Sequence, residues 1–342
     1  MLHFKGFLCS THTSPINRRR ASRYTRFVVN AMTMTISDAF SVPSADYDVI
    51  ILGGSNAGLS AGMTLGRALR RVLILDSGLP CNRQTPYSHN FFTQDGKTPR
   101  QILDTAKAQL AHYSTVTLRH ELATGARKTE TGFDVMTEAG NTYRTKKLIA
   151  ATGIKDQLPP IDGFAACWGI SVIHCPYCHG YEYRQQKTGI LANGDSGFEM
   201  TRLISNWTQT LTLFTNGPAT LSPTQTQTLQ KHQIVVDERE VAHLDHHNGE
   251  LDRIVFTDAS SVGIKALYTR LPFVQHSDIP AQLGCEITEQ GYIKVDMWQK
   301  TTVPGLFACG DNTTFMRSVA NAVYGGSVAG AALNLELITQ TF

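Results

Sequence analysis

From Tyr47 onward the chain alternates short apolar runs with glycine turns and longer mixed segments. Val49-Ile50-Ile51-Leu52 is apolar at every position, the pattern of a parallel strand buried on both faces. Gly53-Gly54-Ser55-Asn56-Ala57-Gly58 follows, then helical spacing to about Leu69, then a second strand, Arg71-Val72-Leu73-Ile74-Leu75, closing on Asp76. Strand, glycine turn, helix, strand and terminal acid, in that order, predict a dinucleotide-binding βαβ unit. Gly53 permits the tight turn and Gly58 lets helix and strand approach. The helix N-terminus offers free N–H groups and a positive dipole to a pyrophosphate. Ser55 stands where the second glycine of this fingerprint is usual, and its hydroxyl can donate to phosphate. Asp76, 23 residues after Gly53, is placed to accept from a ribose hydroxyl.

The pattern recurs in weaker form. Thr188-Gly189-Ile190-Leu191 reads as a strand, Ala192-Asn193-Gly194-Asp195-Ser196-Gly197 as a turn, Phe198 to about Trp207 as a helix, and Leu211-Thr212-Leu213-Phe214 as the next strand. Here Ala192 replaces the first glycine. The segment Thr215-Asn216-Gly217 holds no acid for a ribose and no arginine for a 2′-phosphate. Near the C-terminus, Leu306-Phe307-Ala308-Cys309 reads as a strand ending in Gly310-Asp311, with a small-residue helix from about Met316 to Leu337. An acid at that strand end would bind the sugar-alcohol chain of a flavin, or simply cap a loop.

Composition narrows the classes. The 342 residues are 42% hydrophobic and 17% charged, so about two soluble-type domains are expected. No apolar run approaches the ~18 residues of a membrane span. The formal charge of +3 misleads, because residues 1–37 carry six Lys/Arg and no acid, leaving 25 basic against 28 acidic groups. A nucleic-acid partner is not expected from such a body. Residues 1–45 lack hydrophobic periodicity and are an extension, either a transit-like leader or sequence upstream of a start at Met32 or Met34.

The chemistry sits in His174-Cys175-Pro176-Tyr177-Cys178-His179-Gly180. Two cysteines separated by two residues suit a reducible disulfide, with a helix start lowering one thiol pKa to roughly 3.5–7.5. Zinc competes poorly, since no second close Cys/His pair supplies the remaining ligands. Cys-x-x-Cys-His is also the c-type haem attachment pattern, which nothing else in the chain supports. Two inert buried thiols are the bland alternative. Cys9, Cys81, Cys167, Cys285 and Cys309 read as unpaired thiols. Trp168 reads as packing or as the edge of a substrate entrance. His246 and His247 sit in a polar hairpin turn beside Asn248-Gly249.

Taken together, the first glycine turn, Ala151-Thr152-Gly153, the cysteine pair, the second turn and Gly310-Asp311 with Arg317-Ser318-Val319 resemble the low-molecular-weight thioredoxin reductase family over about residues 46–342. The resemblance implies an α/β protein of two Rossmann-like, three-layer domains. Residues 46–156 and 269–342 would form a discontinuous FAD domain, and 157–268 an inserted, smaller NAD(P)-like domain with the cysteines. It implies that Gly53, Gly54, Ser55, Gly58, Asp76, Gly153, Gly310 and Asp311 hold FAD, with Ser318 and Val319 near the flavin ring. Cys178 would face the flavin and Cys175 the outgoing disulfide. A homodimer in the cytoplasm, or in an organelle if the leader is genuine, is implied too, as is a small dithiol/disulfide or thioredoxin-like substrate.

Two departures stand out. His179 replaces the acid that usually follows the second cysteine, and near its ordinary pKa of about 6.5 it would take and return protons. The basic NADPH cluster is missing after Phe214, so NAD(P)H as donor is in question. The block from Cys81-Asn82-Arg83 to Ser88-His89-Asn90-Phe91-Phe92 resembles the branch that includes fungal dithiol oxidases, in which electrons pass from a dithiol through FAD to O₂. A reductase fed by another carrier and a flavin-binding redox sensor are the remaining expectations.

Overall fold

A computed structural model describes residues 47–342; the N-terminal extension read above lies outside the described residues. The first strand, Tyr47–Leu52, lies at the centre of a seven-stranded sheet, parallel to Val72–Leu75 on one side and Thr142–Ala150 on the other. Val116–Arg119 extends the sheet beyond Val72–Leu75. Phe133–Thr137 and Ala123–Lys128 extend it antiparallel on the opposite side. Leu306–Ala308, more than 150 residues further along the chain, adds in parallel to the end of Thr142–Ala150.

The continuous apolar run is explained by its two faces. Val49 and Ile51 pack into a core with Ala57, Leu65 and Leu333 from the helices Asn56–Arg67 and Val319–Thr341. Ile50 and Leu52 pack into another with Phe133, Leu148 and Leu306. Side chains alternate across a strand, so covering both faces demands apolar residues at every position.

The C-terminal helix runs Val319–Thr341, not from Met316, because the Ser318 hydroxyl caps it by accepting from Asn321 N at 3.1 Å. Its small residues serve close packing: a Cβ on Gly326 would collide with the Ala57 carbonyl, and one on Gly330 would stand 2.9 Å from the Thr64 Cβ.

A second sheet, of five parallel strands, runs Val235–Asp237, Leu211–Phe214, Thr188–Leu191, Ala266–Tyr268 and Val172–Ile173. A three-stranded antiparallel sheet covers its core, from Val241–His247, Glu250–Phe256 and Ser261–Gly263. The turn Asn248-Gly249 joins the first two of these strands with both residues at positive φ, as read from the sequence. Between the two sheets the chain crosses outward on Ile154–Asp156 and returns on Phe273–Gln275, which pair antiparallel. Sheet, helices and crossovers make an α/β fold with two Rossmann-like units.

Candidate active site

The ends of Tyr47–Leu52, Thr142–Ala150 and Leu306–Ala308 open into one cleft. Gly53, Gly54, Ser55, Asp76, Gly153, Gly310, Asp311, Ser318 and Val319 all line it, and so do Cys178 and His179 from the cysteine segment. Two expected residues do not. Gly58 lies behind the turn, where a Cβ would collide with the Gly53 carbonyl, so its contribution is close packing. Cys175 sits on the far side of the disulfide that joins it to Cys178.

The turn after the first strand is bare by necessity. Gly53 adopts φ +104, and a Cβ on Gly54 would stand 2.7 Å from Asp76 Cβ. Gly54 N donates to Asp76 Oδ1 at 3.2 Å, while Lys107 Nζ reaches Oδ2 at 3.5 Å. Ser55 is the N-cap of Asn56–Arg67, yet its side chain makes no cap bond. The helix start therefore faces the cleft without a side chain on its N–H groups, which suits a pyrophosphate. Opposite, Asp311 lies beside Arg317, whose Nε is 3.7 Å from Asp311 Oδ2 and has no hydrogen-bond partner. The other guanidinium nitrogens donate bidentately to Asp156 at 2.8 and 2.9 Å. Burial pushes the Asp311 carboxyl above its ordinary range against the pull of Arg317. A glycine cradle, a helix start with no side-chain cap and an unpartnered buried guanidinium nitrogen on a cleft-lining residue fit an extended dinucleotide such as FAD.

The cysteine segment is a single helical turn, Pro176–His179, with Cys175 as its N-cap. Cys178 N donates to Cys175 Sγ at 3.1 Å. Proline at the first helical position supplies a preset φ and no N–H to satisfy. His179 differs from its sequence reading. Burial, followed by the nearby His89, lowers it to about 4, so at neutral pH its imidazole is uncharged and ready to accept a proton. His174 is lowered to about 3, mainly by burial and then by Arg317.

Four further residues join the cleft, of which only His276 lies outside the segments quoted from the sequence. His174, His276 and His89 line it, and so does Cys81, whose Sγ donates to Asp311 Oδ2 at 3.7 Å. Burial and Asp311 push the Cys81 thiol up to about 12, so it stays protonated and is no third nucleophile. Trp168 does not line the cleft; it stacks between Phe164 and His174. Cys167, Cys285 and Cys309 are free and buried. Among the described residues no group of three or more His, Cys, Asp or Glu could hold a metal ion, and no helix is long and apolar enough to cross a membrane.

At the second turn Asn193 caps Gly194–Ile204, and its Oδ1 accepts from Gly194 N at 2.8 Å, Thr220 N at 2.9 Å and Thr220 Oγ1 at 3.2 Å. Its Nδ2 donates to Pro218 O at 2.9 Å. Asp195, in the first turn of that helix, accepts from Gln225 Nε2 at 2.8 Å. The nearest arginine in sequence after this loop, Arg239, is committed to Asp237 and Ser260. Asn193 thus ties the start of this helix to the Pro218–Thr220 loop, and residues 215–222 contain no Lys or Arg.

Comparison with known proteins agrees with this architecture. The family model for pyridine nucleotide-disulphide oxidoreductases matches residues 47–326. A thioredoxin reductase of Claviceps purpurea, tcpT, is 32% identical over 304 residues, 86% of this chain and 95% of that one. The thioredoxin reductase aclD of Aspergillus oryzae is 30% identical, covering 85% of this chain and 96% of its own. The crystal structure of an oxidoreductase from Agrobacterium tumefaciens superposes with a TM-score of 0.80 at 36% identity, over 86% of this chain and 99% of that one. With a cradle for FAD and a disulfide opening on the same cleft, the chain belongs to the pyridine nucleotide-disulphide oxidoreductase family and is an FAD-dependent disulfide oxidoreductase of the thioredoxin reductase type.

Proposed function

We propose that this enzyme takes electrons from a dithiol substrate through Cys175 and Cys178, delivers them to FAD and passes them on to O₂, without a nicotinamide donor. The observation that carries the reading is that Cys178, and not Cys175, lines the cleft with the nucleotide-binding strand ends. The closed second turn around Asn193 supports the absence of a nicotinamide, and the lack of Lys or Arg in residues 215–222 agrees with it.

A substrate thiolate attacks Cys175 Sγ, the sulfur turned away from the cleft, and Cys178 leaves as a thiolate. The second substrate thiol resolves the mixed disulfide, releasing oxidised substrate and the Cys175 thiol. FAD, held by the glycine cradle, would supply the two-electron acceptor that lets Cys175 and Cys178 close their disulfide again. Neutral His179, next to Cys178, accepts the proton that the Cys175 thiol gives up as the disulfide closes. His179 thus works as a base drawn below its ordinary range by burial. Gly53, Ser55, Asp76 and Asp311 bind and orient the dinucleotide, while Arg317 ties its Asp311 wall to the crossover strand through Asp156. Residues 46–156 with 269–342 act as the FAD unit and 157–268 as the inserted unit. A homodimer, with Tyr324, Leu335 and Ile338 exposed on the C-terminal helix, is part of the proposal.

An anaerobic titration tests the reading. Dithiothreitol bleaches the flavin of the wild-type protein; NADPH and NADH do not; the Cys178→Ser variant stays yellow with all three. Bleaching by either nicotinamide at the dithiol rate would establish a reductase instead. A bleachable Cys178→Ser protein would overturn the role of the pair.

A further inference from the structure

In the scheme above the Cys175 thiol must give up a proton as the disulfide closes, and His179, partly buried, has no carboxylate at ion-pair distance among the described residues. The route outward is written in a contact between distant segments. Glu182 follows His179 by three residues in a chain that turns continuously, with Gly180 N bonded to Pro176 O and Arg184 N to Tyr181 O. Glu182 Oε1 lies 3.5 Å from His89 Nε2, on the segment that follows the first βαβ unit. The other ring nitrogen, Nδ1, lies 3.6 Å from Asp95 Oδ2. His89 therefore lines the same cleft as Cys178 and His179 while both its nitrogens face carboxylates. The His89 side chain is 21% exposed, Glu182 38% and Asp95 67%, a gradient from cleft to solvent. Tyr87 flanks the ring at 6.5 Å and completes its surroundings.

We propose that His89, with Glu182 and Asp95, is the proton exit for the cysteine pair, receiving from His179 and discharging to solvent through either carboxylate. The inference rests on the function proposed above. In the balanced step the Cys175 S–H bond breaks as Cys175 and Cys178 re-form their S–S bond, two electrons would pass to bound FAD, and the proton moves to His179. From there it moves to His89 while His89 releases its own proton to Glu182 or Asp95. Nothing else is consumed. His89 touches neither sulfur, so it is a positioning and relay residue. The pair of carboxylates distinguishes it from His174 and His276, which share the cleft with no carboxylate at ion-pair distance. The electrostatic influence of His89 on His179 fits the same proximity.

The test uses the full chain with FAD bound, plus a readout independent of turnover. His89→Gln keeps hydrogen-bonding groups but cannot titrate. Its anaerobic bleaching by dithiothreitol at neutral pH is expected to slow about tenfold, a modest share of the ~10²–10⁴ a positioned proton acceptor contributes. Imidazole in the buffer should restore part of that rate. In the Cys175→Ser background, the pH profile of iodoacetamide alkylation at Cys178 should lose one titration step when His89 becomes Gln. Equal rates and an unaltered alkylation profile would overturn the exit. So would a loss that is the same at every pH and indifferent to imidazole, which would make His89 a structural tie. If His89→Gln fails to hold flavin, the Asp95→Asn/Glu182→Gln double variant, which leaves the imidazole in place, must slow bleaching by a similar factor, and an unchanged rate there would be equally fatal. Wild-type protein that dithiothreitol never bleaches would sink the parent reading rather than this one.

Discussion

The two glycine turns of this chain start from one blueprint and end differently. At Gly53–Gly58 the strand, turn and helix leave a bare N-terminus, no cap bond from Ser55, and Asp76 held at the rim. At Ala192–Gly197 the same strand, turn and helix are closed from within, Asn193 binding the Thr215–Thr220 loop through four partners. The third glycine tells why both survive. A Cβ at Gly58 would collide with the Gly53 carbonyl, and one at Gly197 would stand 3.0 Å from the Ala192 carbonyl. Packing of helix on strand is thus retained in both turns, while only the first opens into the cleft of the cysteine pair. A βαβ unit keeps its shape for the sake of its core, whatever becomes of its site.

The largest effect that sharpens this contrast comes from Gly58→Ala. The added carbon has backbone on its far side and cannot be accommodated by rotating a side chain. A loss of about 3 kcal/mol, the upper end of the overpacking range, is expected together with loss of bound flavin. Chemical denaturation and the flavin absorbance of the purified variant check it; a stable, fully yellow protein would show that the turn tolerates a wider approach.

Acid separates the two sites next. The folded protein holds His174 near 3 and His179 near 4, both chiefly through burial, against about 6.5 when unfolded. The unfolded chain therefore binds protons that the folded one refuses. Stability is complete above about pH 6.5 and falls as the pH drops toward 4, by at most about 1.4 kcal/mol per unit for each ring. Full burial would give about 2 kcal/mol for the pair between pH 6.5 and 5.5; both rings are partly open to the cleft, so about 1 kcal/mol is expected. The His174→Asn/His179→Asn double variant should flatten that dependence in denaturation curves; an unchanged slope would place the titrating groups elsewhere. The plug at Asn193 carries no such dependence, because Asn193 and Thr220 do not titrate.

How much of this was legible in the sequence follows from distance along the chain. Both turns, the strands around them and the Cys175–Cys178 pair are local patterns, and the folded protein contains them with shifts of a few residues at helix ends. The last helix starts later than its small residues from Met316 suggest, because the Ser318 cap sets the first turn. Arg317 was visible only as a neighbour of Ser318; its bidentate partner Asp156 is 161 residues away. His89 meets Glu182 across 93 residues, and Asn193 meets Thr220 across 27, so no periodicity announces either contact. The pKa of His179 was misjudged for the same reason, since burial is created by segments that sequence spacing does not join. The histidines at 89, 174 and 179 are the signal in the sequence for this shared cleft.

Opening the second turn is the next smaller intervention. Asn193→Ala removes an N-cap and the hydrogen bonds that pin Thr220 and Pro218, for a cost between about 1 and 2 kcal/mol. Emptying the site should not create nicotinamide binding, because residues 215–222 still contain no cation for a 2′-phosphate and no acid for a ribose diol. The variant is therefore expected to remain unbleached by NADPH and NADH while dithiothreitol still bleaches it. Bleaching by NADPH would mean that Asn193 alone had closed a competent site, and the difference between the turns would shrink to one residue.

The smallest effect falls on Gly197→Ala. The new Cβ would stand 3.0 Å from Ala192 O, 3.1 Å from Ala192 C and 3.2 Å from Leu213 Cδ1. The leucine methyl can swing aside, but the carbonyl cannot, so the helix must withdraw by a few tenths of an ångström. Alanine also lowers the entropy of the unfolded chain and favours the helix, gains that offset part of the strain. A net loss of about 1 kcal/mol or less is expected, with flavin content and dithiothreitol bleaching unchanged. Parallel denaturation of Gly58→Ala and Gly197→Ala measures the two approaches on one scale. If the second variant lost its flavin as the first does, the inserted unit could not be an independent support for the cysteines, and the separation of packing from ligand capture would fail there.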